Sequence, residues 1–302
     1  MLGRAARAAR SAGLGRPLGA LRDAIDAPLV RLGRPPLRAR SNGIEVRGFL
    51  RHRSFLADVA RPGAGGYQQL LAQTVRPGMT VIDGGAHIGI YTLIAARAAG
   101  PTGRVLACEP DPYNLAALRA NVRLARATTV EVISKAIADR AGHTSFVQSR
   151  GTISGSIADR SDVGPSRLLD VELTSVDEAL PVAPASLLVK LNVEGAERLV
   201  LAGMQRTLAE CPQIVLFVEL NPAALRAAGS DPAALVGLLE GLGFTLQAID
   251  PVDESLRPLP PLAELGKGHI LCRRGGSPGG GRGAPGPGPG PGPGPGPGPG
   301  PA

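Results

Sequence analysis

The stretch LLVKLNVEGAE, Leu187–Glu197, decides how the rest of the chain is read. Leu187, Leu188, Val189, Leu191 and Val193 suit a strand covered on both faces, as the strands of a parallel sheet are. Lys190 and Asn192 interrupt that run. Standing two apart, they place their side chains on one face, where a buried ammonium or an unpaired amide is costly. They are therefore expected at the C-terminal end of the strand, where a sheet opens, just before VEGAE starts a helix. The expectation is that ligand and helix N–H groups, rather than a buried partner, offset the cost of this pair.

Outward from this stretch, strand and helix patterns alternate. Apolar strands are expected over 80–86, 104–110, 129–136, 186–193 and 213–220, with a closing pair over 244–250 and 269–274. Amphipathic stretches such as IYTLIAARAAG and YNLAALRANVRLA separate them. This alternation predicts an α/β fold, a mostly parallel sheet with helices on both faces. In such sheets ligands bind at the carboxyl ends of the strands, which is where LNVEG falls.

The loop after the first of these strands indicates the ligand. DGGAHIG, Asp83 to Gly89, carries Gly84, Gly85 and Gly89, and such glycines permit a tight turn and close approach of backbone to ligand. Glu109 ends the next strand 20 residues beyond Gly89, the spacing at which a carboxylate accepts hydrogen bonds from a ribose diol. A dinucleotide site would carry G-x-G-x-x-G, with pyrophosphate at the helix N-terminus. That pattern is absent, and Asp83 at the strand end would repel phosphates. An acid there suits a cofactor with an amino group. S-adenosylmethionine, a nucleoside with an amino-acid tail, fits better; a structural turn without ligand is the alternative.

Composition sets limits. The 302 residues include 33 basic and 25 acidic side chains. Residues 1–40 hold nine Arg against Asp23 and Asp26, whereas 41–272 hold 21 basic and 23 acidic residues. The positive charge belongs to the ends, so a nucleic-acid groove across the body is not expected. Aromatic platforms are also lacking, with no Trp, three Tyr and five Phe. Cys108, Cys211 and Cys272 lie in apolar runs and read as reduced core thiols. His52, His143 and His269 lack metal-ligand spacing, and no catalytic metal is expected. No apolar run reaches a membrane span and the start lacks a signal peptide's apolar core, so a cytoplasmic location is expected.

Four parts follow. Residues 1–40 form an Arg-rich arm with Leu14, Leu18, Leu21, Ile25, Leu29 and Leu32 at near-helical spacing, interrupted by Pro17 and Pro28; it is expected to pack on the body or weakly touch an anionic membrane. Residues 41–75 are lead-in strands and a helix. Residues 76–274 are the body. Residues 275–302 are a Gly/Pro-rich tail whose period of two excludes a collagen strand and predicts disorder. Because the motifs lie inside 41–274, that fragment is expected to bind cofactor without either end.

From Arg76 to Arg274 the chain resembles the FkbM family of S-adenosylmethionine-dependent methyltransferases. VIDGGAHIGIYT resembles the family's D-x-G-A-N-x-G-x-Y-T, and CEPDPYNLAALRANVRLA its F-E-P-x-P motif with the helix ending in Asn. SKAIADRAGHTSF, which contains Ala136, is similar to A-x-x-D-x-x-G, and LTSVDEAL to the T-x-D element. VKLNVEGAERLVLAGM is similar to K-x-D-V-E-G-A-E-x-x-V-L-x-G. The resemblance implies a Rossmann-like class I methyltransferase fold with a seven-stranded sheet. It further implies methyl transfer, usually to a hydroxyl of a sugar, glycan or polyketide-type metabolite. The cofactor residues it carries over are Asp83, Gly84, Gly85, Ala86, His87, Gly89, Glu109, Ala136 and Asn192.

Two departures bear on catalysis. His87 stands where the family has Asn, and Asn192 where it has Asp. An amide cannot take a proton near neutral pH, so Asn192 positions ligand, or the base lies elsewhere, or transfer has been lost. Lys190, Asn192, Glu194 and Glu219 are the candidate catalytic residues. Lys190 would orient a carboxylate or acceptor oxygen, Asn192 would lie near the methyl group, and Glu194 or Glu219 would be the base. Glu194 and Glu197 also suit a helix start electrostatically. The expected partner is a small-molecule or glycan acceptor. The alternative is an S-adenosylmethionine-binding pseudoenzyme. Oligomeric state is not legible.

Overall fold

The computed structural model describes residues 15–61, 67–149, 155–156, 166–261 and 264–275. The tail expected to be disordered, and the first residues of the arm, lie outside the described residues.

The apolar strands assemble as their pattern predicts. Strands β3 (Thr80–Gly84), β4 (Arg104–Cys108), β5 (Val130–Ile133), β10 (Leu187–Leu191) and β11 (Ile214–Leu220) run parallel in the spatial order β11-β10-β3-β4-β5. Strand β14 (Gly268–Arg274) adds antiparallel to β11, and β12 (Thr245–Ile249) antiparallel to β14. Alternate residues feed two separate cores. Val81, Val105, Leu188 and Phe217 pack on one face, and Ile82, Leu106, Leu187 and Leu216 on the other.

The expected seven strands are all present, and the sheet has an eighth, β13 (Leu256–Arg257), too short to leave a periodic signal. A second sheet was not expected at all. It has the order β6-β9-β7-β8, with β6 (Ala136–Ile137), β7 (Gly142–Ser149), β8 (Gly155–Ser156) and β9 (Ser166–Thr174). Among the described residues its core is Ala136, Phe146 and Val171, with Leu169 and Leu173 against them. The alternation Leu169, Val171, Leu173 was its signal.

Several helices begin where a short polar side chain caps them. Asp111 accepts from the N–H of Tyr113 and Asn114 at the start of the helix Pro112–Leu124. Asn221 caps Pro222–Ala227 and Asp231 caps Pro232–Gly241 in the same way. Each has proline at its first helical position, where no N–H is missed.

The lead-in departs from its expected boundary. Strand β1 (Leu37–Ser41) pairs antiparallel with β2 (Ile44–Gly48) across Asn42–Gly43, both at positive φ. Such a pair favours a type I′ hairpin turn, so a cut between 40 and 41 divides a strand. Asn121 ties this hairpin to the body. Its Oδ1 accepts from Arg47 N–H at 2.8 Å, and its Nδ2 donates to the carbonyls of Arg47 and Ile88. The helix Gly15–Arg31 runs through Pro17 and Pro28 without ending at either. Buried Asp26 on it accepts from the N–H groups of Leu50 and Arg51 at 2.9 and 3.1 Å. The helix is thus attached to the body, and a fragment starting at 41 would lack this contact.

Candidate active site

Strands β3 and β10 are neighbours although more than 100 residues separate them in sequence. The chain crosses over in opposite directions from this pair, which leaves a crevice at their carboxyl ends. Lys190 lies opposite Asp83 in the register, so in a parallel pair their side chains share a face.

That register corrects the expectation for the polar pair. Lys190 has a buried partner: its Nζ lies 3.0 Å from Asp83 Oδ1, and donates to the carbonyls of Gly85 at 2.9 Å and Gly84 at 3.3 Å. Thr92 Oγ1 donates to the other Asp83 oxygen at 2.5 Å. Asp83, expected to meet the amino group of a cofactor, is 1% exposed and held by these two groups instead. A family motif identifies the acid; only the register shows what it faces.

A cavity of about 460 Å3 opens at this crevice. Gly85, Ala86 and His87 line it from the first loop, Glu109 and Asn114 from the second. Ala136 and Phe146 come from the small sheet, Lys190 from β10, Asn192 and Glu194 from the loop after it, and Glu219 from β11. Of the residues singled out by sequence, Asp83, Gly84 and Gly89 lie behind this wall. Sequence reading missed Phe55, Tyr91, Asn114, Phe146 and Lys267, which also line it. Phe55 and Tyr91 had no polar signal to mark them, and Lys267 reaches the site only through the strand order. A larger cavity, about 680 Å3, lies toward the other end of the sheet between Gly43–Glu45 and Leu124–Thr129, and holds none of these residues.

Glu109 is 4% exposed, and its carboxylate is already well supplied with donors. Oε1 accepts from Asp111 N–H at 2.9 Å and Asn114 Nδ2 at 3.2 Å; Oε2 accepts from His87 N–H at 2.8 Å. A carboxylate has about four acceptor positions, so capacity remains toward the cavity. Burial first, then the charge of Asp111, pushes the carboxyl up to about 7, against the pull of these hydrogen bonds. His87 adopts φ 54 with Phe55 against its ring at 4.6 Å. Burial lowers its pKa well below the ordinary imidazole value, keeping it neutral.

Gly85 has φ +72, and a Cβ there would run into the Asn192 carbonyl oxygen. Backbone packing therefore demands glycine at this position. Asn192 N–H donates to Gly84 O at 3.2 Å, fixing the loop against the end of β10.

At the other end of the cavity, Glu194 Oε2 accepts from Asn221 Nδ2 at 2.9 Å. Glu219 is 5% exposed. Its Oε1 lies 3.2 Å from Lys267 Nζ, while its buried Oε2 has no hydrogen-bond partner among the described residues. Glu197 is buried behind them, and burial, above all, pushes its carboxyl up to about 7. Among the described residues no group of three His, Cys, Asp or Glu side chains is arranged to hold a metal. Cys108, Cys211 and Cys272 are free buried thiols. No described helix is long and apolar enough to cross a membrane.

The strand order, with its antiparallel insertion β14 and a crevice at the β3/β10 switch, defines a Rossmann-like class I methyltransferase fold. Residues 83–246 match the profile of the Methyltransferase FkbM domain. The chain is 30% identical over 204 residues to the 31-O-demethyl-FK506 methyltransferase FkbM of Streptomyces tacrolimicus, covering 58% of this chain and 75% of that one. The chain belongs to the FkbM methyltransferase family and is an S-adenosylmethionine-dependent methyltransferase. Solved structures of similar architecture include a SAM-dependent methyltransferase from Aquifex aeolicus (13% identity, 75% of this chain and 98% of that one, TM-score 0.43). Another is an rRNA methylase from Streptococcus thermophilus (11% identity, 68% and 91%, TM-score 0.38).

Proposed function

We propose that this protein transfers the methyl group of S-adenosylmethionine to a hydroxyl oxygen of a small-molecule or glycan acceptor. The observation that carries this reading is Glu219. It is a cavity-lining carboxylate whose buried Oε2 has no partner among the described residues, at the acceptor end of a pocket whose other end is Glu109. The family relationship supports it, since the named relative acts on a 31-O-demethyl compound.

The pocket suits the cofactor. Glu109 keeps acceptor capacity for a ribose diol, and Gly85, Ala86 and His87 offer a close backbone wall. Bound there, the sulfonium supplies an activated methyl group, so transfer forms a carbon–oxygen bond, breaks the carbon–sulfur bond and releases the hydroxyl proton. In this reading Glu219 takes that proton at Oε2, with Lys267 holding Oε1. Asn192 hydrogen-bonds cofactor or acceptor beside the reacting atoms and moves no proton. Lys190 acts one step back, fixing the carbonyls of Gly84 and Gly85. Holding oxygen and methyl in line is worth roughly 7–11 kcal/mol, and a positioned base adds about 10²–10⁴-fold.

The test is calorimetry with S-adenosylmethionine, its demethylated product and NAD, followed by turnover on sugar, glycan and macrolide hydroxyls. Product formation dependent on Glu219 supports the reading. Cofactor binding without turnover on any acceptor favours the pseudoenzyme that Asn192 brings into view. Leu21, Ile25 and Leu32 are exposed on or just beyond the N-terminal helix, and the proposed membrane contact of the arm would use them. Salt-sensitive sedimentation with anionic liposomes tests that contact.

A further inference from the structure

We propose that His52, which lies outside the matched domain, is a positioning residue of the cofactor site, acting through Asn114 on Glu109. The inference rests on the reading of Glu109 as the ribose carboxylate.

The geometry fixes the direction of every hydrogen bond in the chain. Phe49 N–H donates to His52 Nδ1 at 3.0 Å. A backbone N–H can only donate, so Nδ1 is the acceptor and the ring proton sits on Nε2. Nε2 lies 2.9 Å from Asn114 Oδ1 and donates to it. That orients the Asn114 amide with its nitrogen toward Glu109, where Nδ2 donates to Oε1 at 3.2 Å. The ring is 3% exposed, and burial lowers its pKa to about 4, so the neutral tautomer the chain requires persists through the physiological range.

His52 itself is held from outside the body. It ends the one-turn 3-10 helix Leu50–His52, whose N–H groups are capped by Asp26 from the N-terminal helix. The next helix, Arg53–Val59, carries Phe55 to the cavity wall, where it meets His87. The lead-in is thus part of the cofactor end of the pocket rather than an appendage.

The consequence is a pH readout. Among the described residues, the titratable groups beside Glu109 are Asp111 in its own loop, with Arg51 4.0 Å from Asp111, and the buried thiol of Cys108; His87 reaches it by its backbone N–H alone. Asn114 is the neutral donor from the helix side. A ribose diol donates to the ionised carboxylate, so affinity falls as pH drops through the Glu109 pKa. Removing the Asn114 donor raises that pKa, and the loss of affinity then begins at higher pH.

Calorimetric titration with S-adenosylmethionine from pH 6 to 9, on full-length variants with melting curves recorded, tests this. His52→Asn keeps an acceptor for Phe49 but cannot reach Asn114; it should weaken binding about tenfold, as for one charge-assisted hydrogen bond, and move the midpoint upward. His52→Gln restores a donor near Nε2 and should return both toward the parent. If His52→Asn does not fold, Asn114→Ala must show the same upward shift. Parental affinity and midpoint in His52→Asn, or in Asn114→Ala where that variant replaces it, overturn the proposal if Glu109→Ala still loses binding. If Glu109→Ala binds like the parent, the ribose reading fails and this one with it.

Discussion

The ammonium of Lys190 lies 3.0 Å from a carboxylate oxygen of Asp83, with both side chains no more than 3% exposed. Attraction in this dry setting offsets the desolvation of both ions only while both are present. Lys190→Met should therefore destabilise the fold by about 3–5 kcal/mol. Adding Asp83→Asn should recover part of that loss, because no buried charge remains unpaired. Urea denaturation of the two variants measures the difference, and equal destabilisation would show that the pair contributes nothing beyond packing.

Glu219→Gln should slow methyl transfer by roughly 10²–10⁴-fold while leaving cofactor affinity near the parent's, since it acts on the acceptor side. Asn192→Asp restores the acid of the related sequences. It should raise turnover of the parent and recover part of the rate lost in Glu219→Gln. Steady-state kinetics with a confirmed acceptor decides both, and a slower Asn192→Asp enzyme would make the amide itself a working residue.

Glu109→Ala removes the proposed ribose acceptor. Cofactor affinity should fall by the worth of charge-assisted hydrogen bonds, on the order of 1.5–3 kcal/mol. Unchanged affinity in calorimetry would sink the assignment.

Glu197 is 1% exposed, and its carboxyl is pushed up from 4.5 to about 7 in the fold. The folded state thus binds its proton more tightly than the unfolded state, and stability contributed by this group is lost as pH rises from about 4.5 to 7. Glu197→Gln should raise stability at pH 8 by on the order of 2–3 kcal/mol and lose that advantage below about pH 4.5. Melting temperatures across this range test the sign; an advantage independent of pH would mean a packing effect instead.

Asp26 receives the N–H groups of Leu50 and Arg51. Asp26→Ala leaves those donors without their acceptor and should cost about 1–3 kcal/mol. A chain starting at residue 41 loses this cap and divides strand β1, so it should be less stable than one starting at 15 and should bind cofactor more weakly. Equal melting and binding of the two fragments would make residues 15–40 a passive arm.

Strand identity, the α/β class, the carboxyl-edge site and the family could be read from sequence, because each rests on a pattern local to a few residues. Buried parallel strands are continuous apolar runs, and the loops DGGAHIG and LNVEG mark where those runs end. The small sheet had only the brief alternation Leu169, Val171, Leu173 to mark it, beside an exposed Leu168 that blurs the period. Which polar groups meet was not readable at all. Lys190 and Asp83 are more than 100 positions apart, and His52 reaches Glu109 only through Asn114. Such partners are set by strand order, register and helix docking, which depend on long-range packing rather than on spacing. The sequence alone determined which residues are costly to bury and which bonds they can make; the tertiary structure decided who satisfies them. It closed Asp83 off behind Lys190 and Thr92, and left Oε2 of Glu219, a residue lining the cavity, without a partner among the described residues.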